Sequence, residues 1–300
     1  MRVALVGAVE STLCALKAMI EADCAPVIVA TLEPDLAGRH SDFVDLQPLA
    51  DAHGIGIVRV RNVNDEAALA QVRDVAPDYI FVIGWSQICG PEFMQIAPDR
   101  VIGYHPAPLP RMRGRAVLPW TILNDEKITG ATLFWIDEGV DTGDILEQRF
   151  FHVAPRETAR SLYDKHMLAL DSMVRAALPA LVAGNAPKER QCEVYATYAA
   201  RRRPDDGLID WTRPARDIDR LVRAVSRPYP GAFTHLGTDR LTIWKAQHID
   251  GERHHGVIGQ VVRVSSEHMD VITGESMMRI EEWEFSGGAA IRQHCVLGGK

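Results

Sequence analysis

Cysteine is scarce here and unpaired. The 300 residues contain five, Cys14, Cys24, Cys89, Cys192 and Cys295, widely spaced and without a Cys-x-x-Cys pair. Neither a disulfide framework nor a zinc site follows, and a reducing compartment fits best. Long apolar runs are missing as well. Met1-Arg-Val-Ala-Leu-Val-Gly7 is too short for a signal peptide, and no stretch approaches the roughly 18 apolar residues that span a bilayer, so a cytoplasmic location is expected. There is no basic tract: 33 Lys+Arg against 40 Asp+Glu leave a net charge of −7. Nucleic acid or an anionic membrane is therefore a poor main partner, although a small anionic ligand is not excluded. The first turn, Gly7-Ala-Val-Glu-Ser11, lacks Gly-x-Gly-x-x-Gly, and no Gly-x-x-x-x-Gly-Lys-Ser/Thr occurs. Dinucleotide and triphosphate loops are thus absent, as are internal repeats and low-complexity tracts.

What remains is the composition of a soluble globular protein, 47% apolar and 24% charged, at about twice the commonest domain length. A large domain with a smaller one is the natural organisation. Arg2–Gly7, Ser11–Glu21 and Pro26–Ala30 read as strand, helix and buried strand. The alternation continues through a helix near 43–53, a strand at Ile57–Val60, a helix near 66–76, and strands at Tyr79–Ile83 and Val101–Tyr104. Such alternation implies a mainly parallel, doubly wound α/β sheet. Gly130–Asp137 and Ile145–Val153 add two strands, and a long helix is expected from about Glu157 to Val182, bent at Pro179. Arg-rich residues 200–206 read as a linker. Beyond a helix at Ala215–Val225, short strands near 241–244, 256–264, 269–272 and 278–284 suggest a small β-barrel. The expected domains are therefore 1–200 and 201–300.

In parallel sheets ligands bind beyond the carboxyl ends of strands. His105 leaves a strand at that edge, in Val101-Ile-Gly-Tyr-His-Pro-Ala-Pro-Leu-Pro-Arg-Met-Arg-Gly-Arg115. Three prolines stiffen this loop, and Arg111, Arg113 and Arg115 make it locally basic, as a site for an anion requires. A second loop, Asp137-Glu-Gly-Val-Asp-Thr-Gly-Asp144, offers Asp141 as a carboxylate partner for His105. It lacks the later glutamate that a calcium loop needs, and no metal is expected.

Together these segments resemble a known family. His105-Pro-Ala-Pro-Leu-Pro-Arg-Met-Arg-Gly114 is similar to the His-x-Ser-Leu-Leu-Pro-x-Tyr-Arg-Gly signature of formyltransferases that use 10-formyltetrahydrofolate. Asp137–Leu146 resembles their Asp-containing loop, at the family's separation. The likeness extends through 54–64, 77–84, 202–211 and 223–233, the later blocks being closest to the enzymes that act on UDP-4-amino-4-deoxy-arabinose and on methionyl-tRNA. The resemblance implies a Rossmann-like catalytic domain, a small OB-like C-terminal domain, and formyl transfer from the folate to a primary amine. His105 is then the base, oriented by Asp141. The folate is expected against Gln87, Ile88 and Cys89, Arg115, and the backbone of Asp137, Glu138, Gly139, Val140 and Asp141. Ile83, Ile88 and Val140 are possible apolar walls, and Trp85 a stacking surface.

One position departs from the family. Members carry Asn two residues before the histidine, and here Gly103 stands there. That asparagine would hold the formyl oxygen, and losing such a donor typically costs about 100- to 1,000-fold in rate. The hydrolase-like domain of 10-formyltetrahydrofolate dehydrogenase shares this absence. Two arrangements are compatible with it: Gln87 or a water replaces the donor, or water occupies the vacated space and hydrolyses the folate. The leading acceptor is a small amine on a nucleotide-linked sugar. The alternatives are methionyl-tRNA and hydrolysis of the formyl donor. Residues 201–300 carry 15 Lys+Arg against 14 Asp+Glu, which offers little for tRNA phosphates.

Overall fold

The computed structural model describes every residue except His40, Glu252, Arg253, Gly288, Ala289, Gly299 and Lys300. In chain order its elements are β1 (Val3–Val6), α1 (Glu10–Glu21), β2 (Ile28–Leu32), α2 (Gln47–Ala52), β3 (Gly56–Val60), α3 (Glu66–Asp74), β4 (Tyr79–Val82), α4 (Pro91–Met94), β5 (Val101–His105) and β6 (Arg113–Gly114). Next come α5 (Val117–Leu123), β7 (Ile128–Trp135), β8 (Ile145–His152), α6 (Ala159–Val182) and β9 (Tyr198–Ala199). The last are α7 (Ala215–Val225), β10 (Ala232–Leu236), β11 (Asp239–Ile249), β12 (Val261–Val264), β13 (Met269–Ile272) and β14 (Met277–Phe285).

The chain divides into two compact units. The first holds Met1–Val117, Ile128–Phe151 and Asp164–Ala199, and the second Leu118–Lys127, His152–Tyr163 and Ala200–Lys300. The second unit takes up everything from residue 200 onward and, in addition, two earlier stretches, 118–127 and 152–163. The cause is visible in side chains: Trp120 donates to the Ala200 carbonyl, Arg220 pairs with Asp125, and Arg156 with Asp219.

In the first unit seven strands run in the order β3-β2-β1-β4-β5-β7-β8. The first five are parallel, because each returns through a helix, and β7 is antiparallel to β5. Side chains alternate across this sheet. One face packs Leu5, Phe81, Ile102 and Leu133 against Leu16 and Met19 of α1 and Leu170, Met173, Val174, Ala177, Leu178 and Leu181 of α6. That helical spacing buries one stripe of α6, which runs through Pro179 to Val182. The other face packs Val6, Ala30, Val58 and Val82 against Leu69 and Val72 of α3 and Phe93 of α4.

The strand order reverses between β1 and β4, where doubly wound sheets usually open a crevice. Here it is filled. Gly84, at φ 72°, lies so close to Ser11 and Thr12 of α1 that a Cβ would meet their hydroxyl oxygens at 2.7 and 2.8 Å. His105 ends β5 at the same carboxyl edge.

The second unit is an antiparallel sheet ordered β10-β11-β14-β13-β12 with the amphipathic helix α7. β10 and β11 form a hairpin that the sequence reading missed, turning at Gly237 with φ 61°.

Candidate active site

His105, at the carboxyl end of β5, is 5% exposed. Its Nε2 lies 2.8 Å from the Met112 carbonyl oxygen, and its Nδ1 lies 3.6 Å from Asp141 Oδ2. Both ring nitrogens face acceptors. A neutral ring donating Nε2–H to Met112 leaves its Nδ1 lone pair toward the carboxylate, so only the imidazolium donates to both. The shorter contact of the ring is to a backbone carbonyl that the sequence did not suggest, while Asp141 faces the other ring nitrogen. Nothing in the sequence marks that carbonyl, because its direction depends on Met112 standing at φ 60°.

The loop between His105 and Met112 is stapled from below. Thr132 Oγ1 donates to the Ala107 carbonyl and accepts from Leu109 N–H, while Gln148 donates to the Leu109 carbonyl. The loop then enters β6, which pairs with β9. Asp141 approaches from the opposite side, and its Oδ2 accepts the Gly114 N–H at 2.8 Å.

The other expected site residues divide. Of the three arginines, Arg113 is 0% exposed and is bound to Gln191 and Glu193, so it offers no charge to a ligand. Its pKa is raised mainly by the Glu193 hydrogen bond. Arg115 is exposed, reaching the Ser86 carbonyl at 3.4 Å. Gln87 does not face the reacting groups: its Oε1 accepts from Val63 N–H and its Nε2 donates to the Arg61 carbonyl. It is therefore not the substitute for the missing asparagine. Asn64 ties down the same loop through the Ile88 carbonyl and Gly90 N–H. Cys89 packs into the core, and burial pushes its thiol pKa up to about 12. Asp137 closes its own turn by accepting from Gly139 N–H and Thr142 Oγ1; Glu138 and Gly139 are exposed.

The expected apolar walls separate in the same way. Ile83 is fully buried core, whereas Ile88 and Val140 are 80% and 60% exposed, an unusual state for large aliphatic side chains. Trp85 is half-buried, with a buried indole N–H that has no partner among the described residues.

Gly103 pairs with Phe134 across β5 and β7. A Cβ on Gly103 would come within 2.8 Å of Phe134 Cε1 and Cζ and 3.1 Å of Ile136. A phenyl ring thus stands where a side chain at 103 would begin.

One further titratable group lies near His105 on the other face of β5. His166 of α6 is 1% exposed, with Nδ1 3.4 Å from Tyr104 Oη and Nε2 without a partner. Burial, followed by the charge of His105, lowers its pKa to about 3. A histidine on the apolar stripe of a helix gave no functional signal in the sequence.

Residues 7–176 match the formyl transferase family and residues 202–300 the formyl transferase C-terminal domain. The chain is a formyltransferase. It is 31% identical to methionyl-tRNA formyltransferase of Geotalea uraniireducens (strain Rf4) over 301 residues, covering 100% of this chain and 95% of that one. Among solved structures, the N-formyltransferase from Helicobacter canadensis in complex with folinic acid and dTDP-3-aminofucose matches 95% of this chain and 100% of its own, with TM-score 0.71 and 17% identity. Methionyl-tRNA formyltransferase from Clostridium thermocellum matches 96% and 100%, with TM-score 0.62 and 20% identity. Formyltransferase membership makes the chain an enzyme of one-carbon transfer.

Proposed function

We propose that this formyltransferase moves the formyl group of 10-formyltetrahydrofolate to the primary amine of a nucleotide-linked amino sugar. The observation that carries the chemistry is the pair His105 and Asp141, a buried imidazole whose protonated form has an acceptor at each nitrogen. An amine attacking a formyl carbon must lose a proton. Accepted at His105 Nδ1, that proton creates an imidazolium held between the Met112 carbonyl and the Asp141 carboxylate.

The folate supplies the formyl group. Exposed Ile88 and Val140 suit the faces of its ring system, and the unpartnered Trp85 N–H lies in the same loop as Ile88. The backbone of Asp137–Asp141 and the exposed Arg115 are the remaining contacts in this reading. The Phe134 ring packs where a side chain at 103 would begin, which speaks against a water taking the place of the missing side chain and so supports transfer over hydrolysis.

Charge favours a small acceptor. In the second unit Arg227 pairs with Glu282 and Glu284, Arg279 with Asp270, Arg223 with Asp219, and Lys245 with Glu281. Cations spent in this way add little to phosphate neutralisation. Methionyl-tRNA is the second reading, and the 31% identity over the whole chain favours it.

The test is tetrahydrofolate release from 10-formyltetrahydrofolate, with no acceptor, with a panel of nucleotide-linked amino sugars, and with methionyl-tRNA. Release that depends on an amino sugar is expected. Release with methionyl-tRNA alone establishes the second reading, and equal release without any acceptor establishes hydrolysis. His105→Asn should lower turnover by about three orders of magnitude or more while leaving the fold intact.

A further inference from the structure

Asp141 stands at φ 56°, a left-handed conformation that costs a non-glycine residue on the order of 1 kcal/mol. Its carboxylate reaches Gly114 and His105 only while that backbone is held, and the hold comes from far along the sequence. Gln191 Nε2 donates to the Asp141 carbonyl at 2.8 Å and to the Gly143 carbonyl at 2.7 Å. One primary amide thereby uses both its hydrogens to bracket Thr142.

The amide cannot rotate to another arrangement. Its Oε1 accepts from Arg113 Nε at 3.2 Å and Nη2 at 2.8 Å, and a flipped amide would turn its own N–H groups against the guanidinium. Gln191 is 4% exposed, and Arg113 is held in turn by Glu193 at 2.6 and 2.9 Å. A closed circuit results. Gly114 N–H holds the Asp141 side chain, Arg113 beside it holds Gln191, and Gln191 holds the Asp141 backbone.

We propose that Gln191, oriented by Arg113, is a positioning residue for formyl transfer: it fixes the Asp141 backbone so that the carboxylate stays against His105. This rests on the assignment of His105 and Asp141 above. A pin that merely attached the 188–199 segment to the core would need bonds to any nearby carbonyls. The two bonds here fall instead on the strained residue that carries the carboxylate and on the residue two positions later.

Gln191→Glu separates the two roles, because a carboxylate still accepts from Arg113 but has no hydrogen for the Asp141 and Gly143 carbonyls. Gln191→Met removes both roles without adding charge. The wild type, both variants, Asp141→Asn, the double variant Asp141→Asn/Gln191→Glu and the control His105→Asn are assayed with 10-formyltetrahydrofolate and, as acceptors, nucleotide-linked amino sugars and methionyl-tRNA, alongside thermal melting. Expected for Gln191→Glu is a folded protein with kcat down about 10- to 100-fold and KM for the folate within about twofold. In the Asp141→Asn background the same substitution should cost less than about threefold, because the carboxylate that Gln191 positions is already gone.

Undiminished kcat in a folded Gln191 variant overturns the proposal, as do losses that multiply in the double variant. Failure of both Gln191 variants to fold also overturns it, since Gln191 is then a structural pin. If His105→Asn retains full turnover, the underlying site assignment fails instead, and the two failures are told apart by that control.

Discussion

At the scale of single residues, Gly103 and Phe134 are one unit. Restoring the family's asparagine is the obvious repair of this site, but the geometry opposes it. A side chain at 103 meets the tip of the Phe134 ring at 2.8 Å in a packed layer, and overpacking of that kind costs about 1–3 kcal/mol. Gly103→Asn should therefore lower the melting temperature and slow transfer rather than accelerate it. Phe134→Leu removes the ring atoms that collide, so Gly103→Asn/Phe134→Leu should melt higher than the sum of the two single changes predicts. Melting temperatures that simply add would mean that the ring is not the obstacle. His166 makes a separate prediction. Its pKa is about 3 in the fold, because burial disfavours its charge, against about 6.5 when unfolded. The unfolded chain binds the extra proton between those values. Stability from this residue is thus complete above about pH 6.5 and is lost as pH falls toward 3. His166→Leu should flatten the decline of melting temperature between about pH 6.5 and 4; an unchanged slope would assign the acid sensitivity elsewhere.

At the scale of elements, β6 and β9 are only two residues each, yet they join the loop after His105 to the segment that carries Gln191 and Glu193. Gly114 is the tight point. It stands at φ 107°, its N–H serves Asp141, and a Cβ would press on the Ala199 carbonyl oxygen. Gly114→Ala should part the two strands and reduce kcat at least about tenfold, with a matching loss of melting temperature. Normal kcat in that variant would show that the pairing is dispensable to the site. This junction was not legible in the sequence, because a two-residue pair has no periodicity. The parallel core was legible: β1 to β5 alternate with helices, and their apolar runs are bounded by Gly, Pro or polar turns. The direction of β7 was not, since a strand buried along seven of its eight residues reads the same either way. His105 stood out as a polar residue at the end of an apolar strand, and Asp141 as a carboxylate in the Gly-containing loop beyond another. Their supports did not, for Met112 contributes a carbonyl and Gln191 is a distant glutamine with no motif around it. The arginines misled for a related reason. Charge in a loop suggests a ligand, but Arg113 finds its carboxylate 80 residues away.

At the scale of the whole molecule the open question is which amine reaches the site, and net charge turns it into a measurement. A protein that neutralises several phosphates releases their counterions, so its affinity falls steeply with salt. Six or more contacts lose about a thousandfold between 50 and 200 mM. A nucleotide-linked sugar presents two phosphates at most to a protein carrying a net charge of −7, and its recognition depends on few ionic contacts. We therefore expect kcat/KM for an amino-sugar nucleotide to fall less than about tenfold over that range of KCl. The paired cations of the second unit lead to the same expectation. Arg227 and Arg279 must release carboxylates before they can meet a phosphate, and each release leaves an acidic group near the incoming backbone. Salt-resistant turnover of the sugar together with weak, salt-quenched formylation of methionyl-tRNA fits a surface built around internal pairs. Fast formylation of methionyl-tRNA with a steep negative salt slope would require those pairs to open, and would assign this chain to the tRNA branch of the family despite its charge.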